Sequence, residues 1–389
     1  MNKYGIGGDC VKELYYVGYY SKDLGQRNFV LSATNKMDYI ITCLNRLGYR
    51  VNIVSPSQGI KGDFKILLGN TTKLNDNVML KQSFSWTSRS KILEIVKLYW
   101  SKIWLFFELT FKIPSNSTVI VYHSNPFVGL IEKVSWFKKL NFILECEEIY
   151  NEVQKNRFVS LKREERFVQK FKKYIFPTEN LTDRFVKNTG KKAVVVYGSY
   201  NLPCLCEEKF ADEKIHLVYS GTLEESKGGA ITAVSIAEYL DEKYVIHILG
   251  FGTDKEKEDL IRKINETNDK SRCKTVFEGL LVGKEYTDFL QKCNIGLSTQ
   301  TSKGEYANSS FPSKVLTYLS CGLDVVTVRI SVLSKAKISK LLHFYDDANP
   351  ESIAQLIRSI QFSETNNDNA LRNLDEEFVS ELDKLIMAK

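Results

Sequence analysis

The stretch FPSKVLTYLSCGLDVV (311–326) decides the fold. Pro312 suits the first position of a helix, because it has no N–H to leave unpaired there. Gly322 closes that helix, and the β-branched run DVVTV (324–328) follows at once. At the helix start Phe311 is a poor side-chain cap, so the N–H groups of Ser313, Lys314 and Val315 are expected to be open. Open donors beside a lysine and a hydroxyl suit a phosphate. The same residues also fit an ordinary helix start with a solvated lysine.

Working outward, apolar β-rich runs alternate with helical patterns. IHLVYSG (215–221), YVIHILG (244–250), KTVFEG (274–279), NIGLS (294–298) and DVVTVR (324–329) read as strands. KGGAITAVSIAEYL (227–240) and KEKEDLIRKINE (255–266) read as helices between them. Such alternation predicts a parallel sheet with helices on both faces. The first half repeats the theme less cleanly, with strands at LYYVGYY (14–20), YRVNIVSPS (49–57), TVIVYHS (118–124), NFILECEEIY (141–150) and KAVVVYGSY (192–200). KMDYIITCLNRLGY (36–49) is a helix ended by Gly48. NLPCLCEEKFADEK (201–214) joins a proline to a charge run, which places a linker there. The expected organisation is therefore α/β, with two Rossmann-like, doubly wound domains at 1–205 and 206–366. A polar C-terminal helix at 367–389 would pack back toward the first. Two such domains would face each other across a cleft, with ligands at the carboxyl ends of the strands.

Bulk properties narrow the function classes. A chain of 389 residues, 43% hydrophobic and 26% charged, suits globular domains with a real core. The net charge of +7 is mild. It suits an anionic small ligand or a membrane surface and does not call for nucleic acid. Eight scattered cysteines and four distant histidines build no zinc quartet from local spacing, and read as reduced cytosolic thiols. The start MNKYGIGGDCVKEL has no apolar core of signal-peptide type. No run approaches the ~20 apolar residues of a spanning helix. A cytoplasmic location is expected.

Three further segments fall at strand ends. SGTLEESKGG (220–229) puts Lys227 at a helix start, as FPSK does Lys314. ILGFGTDKE (248–256) carries a Gly-x-Gly at Gly250 and Gly252, alone no more than a tight turn. VFEGLLVGKEYTDFLQKCNIGLST (276–299) carries a strand, a turn, a helix and another strand. In this order the four segments resemble the retaining glycosyltransferases of family 4, with the GT-B fold. The resemblance is strong over about 215–362 and looser before it. It implies that Lys227 contacts a donor diphosphate, and that Gly221, Thr222, Gly250 and Gly252 line the donor site. It further implies that Ser313, Lys314 and Val315 hold phosphates, and that Gly279 and Leu280 meet the nucleotide base. His123, in VIVYHSNP, resembles the histidine near the reacting sugar. A strand-end histidine can equally serve packing or turn chemistry.

The sequence also departs from that family. Thr222 stands where an arginine is usual. Two glutamates eight apart would fall at Ser309 and Thr317, and neither position is acidic. Thr317 offers one hydroxyl, and Glu305 is a candidate displaced carboxylate. The resemblance implies chemistry without a metal or other cofactor, and the chain contains no Asp-x-Asp.

One segment stands apart. In SRSKILEIVKLYWSKIWLFFELTFKIP (88–114), Lys91, Lys97 and Lys102 alternate with Leu98, Tyr99, Trp100, Trp104, Phe106 and Phe107. It reads either as an interfacial helix on an anionic membrane surface or as a core helix with solvated lysines. EKVSWFKKLNF (132–142) could join the same surface.

The functional expectation is a retaining, metal-independent glycosyltransferase. It would move a hexosyl or related sugar from a nucleotide-sugar donor to a glycan or lipid-linked glycan acceptor. The setting would be cell-surface polysaccharide synthesis, such as capsule or exopolysaccharide, in the cytoplasm or at the inner face of the membrane. The alternative is a catalytically impaired GT-B protein that binds nucleotide sugar and scaffolds a partner enzyme. A third possibility is a different nucleotide-binding α/β protein, and the lack of a Walker-type P-loop and of a full Gly-x-Gly-x-x-Gly argues against it.

Overall fold

The computed structural model describes residues 12–23, 25–153, 159–204, 206, 208–224, 228–299, 309–362 and 367–388. Lys227 and Glu305, singled out above, lie outside the described residues. The chain divides into two compact units. The first is Met1–Pro177, Leu181–Ser199 and Glu377–Lys389; the second is Thr178–Asn180 and Tyr200–Glu376.

The first unit carries, in chain order, β1 (Lys12–Val17), α1 (Leu31–Arg46), β2 (Tyr49–Ser55), β3 (Lys65–Leu67), β4 (Asn70–Asn75), β5 (Val78–Gln82) and β6 (Ser85–Thr87). Then come α2 (Lys91–Phe107), β7 (Thr118–Tyr122), α3 (Leu130–Phe137), β8 (Asn141–Glu145), α4 (Tyr150–Val153), α5 (Leu161–Gln169), β9 (Lys173–Phe176), α6 (Glu179–Phe185) and β10 (Lys192–Val195). Eight strands form one sheet in the order β10-β9-β8-β7-β1-β2-β5-β4. Its pairings are parallel except β4 against β5. β3 and β6 make a separate antiparallel ribbon. Val119, Ile120 and Val121 are all fully buried, as are Tyr174, Ile175 and Phe176. Continuous burial of this kind arises where helices cover both faces of a parallel sheet.

The second unit carries β11 (Ile215–Thr222), α7 (Gly229–Ile236), β12 (Tyr244–Phe251), α8 (Asp254–Asn268), β13 (Lys274–Gly279), α9 (Gly283–Lys292) and β14 (Ile295–Ser298). It continues with α10 (Ser313–Ser320), β15 (Asp324–Val328), α11 (Ser331–Lys335), β16 (Leu342–Tyr345), α12 (Pro350–Ser359) and α13 (Asn367–Met387). Its six strands are all parallel, in the order β13-β12-β11-β14-β15-β16. α13 begins in this unit, where the Asn367 amide donates to the Leu323 carbonyl at 3.2 Å. It ends in the first unit, where Phe378 stacks on Tyr39 and Lys173 donates to the carbonyls of Ile386 and Ala388.

Helix α10 corrects one detail of the sequence reading. Pro312 is the residue flanking the helix, with ψ at 98°, and Ser313 is the first helical residue. The closure at Gly322 is as the sequence implies. Gly322 takes φ of +79°, its N–H donates to Leu319 and the Leu323 N–H donates to Tyr318. These two bonds form a Schellman motif, whose left-handed position favours glycine.

Segment 88–114 corrects another. α2 runs into a π-helical turn at Glu108–Lys112. Its inward residues are Lys97, Ser101 and Leu105, all buried. The Lys97 ammonium donates to the carbonyls of Gly59 at 2.7 Å and Trp86 at 3.2 Å, and to Glu94 at 2.5 Å. Lys97 is thus no solvated or lipid-facing lysine. Ile92, Tyr99, Ile103 and Phe107 lie outward instead.

Candidate functional site

A doubly wound sheet opens a crevice where two neighbouring strands send their connections in opposite directions. In the second unit that point lies between β11 and β14, with β12 beyond one and β15 beyond the other. Gly221 and Thr222 end β11 there. Gly221 pairs with Gly250 of β12, and a Cβ at Gly250 would come within 2.2 Å of the Gly221 carbonyl oxygen. Gly250 is buried, and its lack of a side chain serves strand packing. Gly252 precedes α8, whose start is a capping box. The Glu256 N–H donates to the Thr253 hydroxyl, and the Thr253 N–H donates to the Glu256 carboxylate. Gly279 ends β13 with φ of +77°, and the side chain of Leu280 beyond it is exposed.

The start of α10 reaches the same strand edge from β14. No side chain caps it. The expectation of three open donors is corrected to two. The Val315 N–H donates to the Pro312 carbonyl at 3.0 Å, and the Val315 side chain is fully buried. Among the described residues the first-turn N–H groups of Ser313 and Lys314 remain open, because a helix supplies them no partner of its own. The Lys314 ammonium donates to the Tyr286 hydroxyl at 3.2 Å and lies 5.0 Å from the centre of that ring. The Tyr286 hydroxyl meets the Ser220 hydroxyl at 2.7 Å, and the Ser220 N–H donates to the Tyr318 hydroxyl at 2.8 Å. Tyr318 packs where a Cβ at Gly296 would sit, 2.3 Å from its ring. Tyr286, Ser220 and Tyr318 therefore fix Lys314 at the end of β11. Sequence reasoning missed Tyr286 and Tyr318, because a tyrosine within a helix carries no local signal of such a role, and it took Ser220 only as the start of the segment 220–229.

On the other side of the crevice, the Thr299 hydroxyl donates to the Gly229 carbonyl at 2.8 Å, tying the end of β14 to the start of α7. Ser309 is buried, and its hydroxyl has no hydrogen-bond partner among the described residues. The Thr317 hydroxyl donates back to the Ser313 carbonyl at 3.2 Å.

The first unit has its own reversal of strand order, between β1 and β7. His123 follows β7 and is 1% exposed. Its ring stacks on Tyr150 at 5.0 Å and on Phe167 at 6.1 Å. Its Nδ1 lies 3.2 Å from the Glu148 carbonyl and its Nε2 3.4 Å from the Glu164 carboxylate. Burial lowers its pKa to about 4, so it is neutral at pH 7. Glu164 accepts the N–H groups of Tyr150 and Asn151, and so holds the start of α4 over the histidine.

Beside it lies a carboxylate cluster that the sequence reading took only as the end of a strand. Glu145 ends β8, is fully buried and accepts a hydrogen bond from the Tyr16 hydroxyl. Burial and the neighbouring Glu147 raise its pKa to about 8. Glu148 is raised as well, by burial first and Glu147 second. Glu147 pairs at 3.4 Å with Lys36 of α1, whose ammonium also donates to the Val196 carbonyl. One oxygen of Glu145 has no hydrogen-bond partner among the described residues. Such a cluster can hold a proton or accept ligand hydroxyls.

No family model matches the sequence, and no curated protein matches it. Solved structures do resemble it along nearly its whole length. The structure described as trehalose-6-phosphate from E. coli bound with UDP-2-fluoro glucose aligns with a TM-score of 0.68 at 8% identity, over 97% of this chain and 100% of that one. The sucrose-phosphate synthase from Thermosynechococcus elongatus aligns with a TM-score of 0.61 at 12% identity, over 96% and 98%. The pneumococcal O-GlcNAc transferase in complex with UDP and GlcNAc aligns with a TM-score of 0.60 at 9% identity, over 97% and 99%. These neighbours are GT-B glycosyltransferases, and this chain shares their GT-B fold.

Proposed function

We propose that this chain is a glycosyltransferase whose second unit binds a nucleoside-diphosphate sugar. The observation that carries the reading is Lys314, held at the β11 edge by Tyr286 beside an uncapped helix start. The bond between the sugar C1 and the diphosphate oxygen breaks, and its electron pair stays on the diphosphate. A new C1–O bond forms to an acceptor hydroxyl, whose proton is released. A lysine and helix N–H groups aimed at the leaving group stabilise the charge that grows there. Lys227 joins them in this reading, and Gly279 and Leu280 take the base. The lysines supply positive charge that a metal would otherwise bring, so transfer is proposed to be metal-independent. The first unit takes the acceptor, a glycan or lipid-linked glycan of cell-surface polysaccharide synthesis. His123, buried and stacked on Tyr150 and Phe167, stands in this reading for the histidine near the reacting sugar. Retention of configuration rests on the family resemblance.

A second reading is favoured by Ser309 and Thr317 at the two expected glutamate positions. In that reading the chain binds donor without turnover and scaffolds a partner enzyme. Calorimetric titration with UDP and other nucleoside diphosphates tests donor binding, and release of nucleoside diphosphate from donor, with and without acceptor glycans, tests turnover. Binding without turnover selects the second reading. Absence of any nucleotide binding overturns both.

A further inference from the structure

We propose that the outward face of α2, together with the end of α3, rests on an anionic lipid bilayer. Ile92, Val96, Tyr99, Ile103 and Phe107 recur at helical spacing and are between 47% and 73% exposed. Trp136 and Phe137, at the end of α3, are 77% and 69% exposed. The two elements are continuous, because Phe106 of α2 packs edge-on against Phe137 at 5.7 Å. Phe107 stacks on Phe111 at 5.5 Å, which extends the surface along the π-helical turn. An apolar surface of this continuity marks an interaction site rather than scattered exposed residues.

The orientation of α2 is fixed by its buried side. Rotating the stripe inward would strip Lys97 from the carbonyls of Gly59 and Trp86. The helix therefore presents the apolar stripe because its lysine is anchored, and the stripe needs an occupant from outside.

Charge selects the occupant. Every acid of α2, α3 and the turn is already paired: Glu94 with Lys97, Glu108 with Lys81 and Glu132 with Lys170. Lys91 and Lys112 flank the stripe along the chain, Lys133 and Lys139 flank Trp136 and Phe137, and all four are exposed. A stripe of aliphatic and aromatic side chains flanked by lysines matches a headgroup layer of negative lipids. No helix among the described residues is long and apolar enough to cross a membrane, so α2 would lie in the plane of the surface. The inference is independent of the donor site and does not require turnover.

The test is co-sedimentation of the full chain with vesicles of phosphatidylcholine alone or of phosphatidylcholine mixed with anionic phosphatidylglycerol, whose negative surface attracts basic segments. The chain is expected to bind the anionic vesicles and to release substantially in high salt, where charge is screened within about 3 Å. Lys112→Glu with Lys139→Glu should weaken that binding about tenfold or more. Ile103→Ser and, separately, Trp136→Ser should weaken it several-fold while leaving the melting temperature in place, since both side chains are exposed. Binding to neither vesicle, or equal binding to both, overturns the proposal. So does a lipid-independent dimer that Ile103→Ser dissociates, which would give the face to a second copy of the chain.

Discussion

Replacing Lys314 by alanine separates a donor site from an ordinary helix start. In the free protein the ammonium donates one hydrogen bond, to the Tyr286 hydroxyl at 3.2 Å, and lies over that ring. Losing a hydrogen bond to an uncharged, partly buried group costs about 0.5–1.5 kcal/mol of stability. For a domain of this size that is a shift of several degrees at most in melting temperature. A charge-assisted contact to a diphosphate contributes more, about 1.5–3 kcal/mol. At about 1.4 kcal/mol per tenfold, affinity for a nucleoside diphosphate should fall roughly ten- to a hundred-fold. Tyr286→Phe keeps the ring and removes only the hydroxyl that orients the lysine, so its effect should be a few-fold. Lys314→Arg keeps the charge and should fall between the two. The assay is calorimetric titration at fixed ionic strength, with the melting temperature measured alongside. Unchanged affinity in Lys314→Ala, with the fold intact, would refute the site assignment and remove the main support for a donor-binding unit.

Other expectations follow from the buried charges. Glu145 has a pKa of about 8 when folded, against an ordinary 4.5, so the folded chain keeps a proton that the unfolded chain releases. Stability should therefore fall as pH rises from about 4.5 to 8, by a few kcal/mol in all. Glu145→Gln should flatten that slope in denaturant titrations at pH 5 and 8, and an unchanged slope would show that Glu145 is not the cause. His123 works with the opposite sign, since its pKa is lowered to about 4 and stability is lost as pH falls from 6.5 toward 4. His123→Phe should remove that acid-side loss. Lys97→Ala should destabilise the first unit by about 3 kcal/mol or more, because it leaves Glu94 and two carbonyls without their buried cation. A melting temperature equal to that of the parent would contradict the inward placement. Sugar transfer, once a donor and acceptor are in hand, should survive excess EDTA; loss restored by Mg²⁺ or Mn²⁺ would exclude the metal-independent mechanism.

The sequence was most legible where burial is continuous and local. β12 and β15 are buried along almost their whole length, so their apolar runs could be read as strands of a parallel sheet without knowing their neighbours. β4 is the opposite case. All its residues but Leu74 are exposed, its sequence NTTKLN alternates in nothing, and it exists because β5 pairs with it. β9 and β16 are four-residue strands, too short for a period to show. The same distinction governs the sites. Lys314 could be found because proline, lysine and glycine mark the two ends of one short helix. What positions it could not, because Tyr286 and Ser220 lie 28 and 94 residues away along the chain. Glu145–Glu148 read only as part of the strand NFILECEEIY (141–150), and parallel pairing of β1 with β7 and of β7 with β8 is what brings Tyr16 to Glu145. α2 shows the limit most sharply. Its apolar content was plain, but which side faced inward depended on Lys97 reaching two carbonyls in segments before the helix. Periodicity assigns the apolar face of a helix to the core by default. It gives the wrong sense when a buried cation fixes the other face, and such a reversal is itself a sign that the apolar face has a partner.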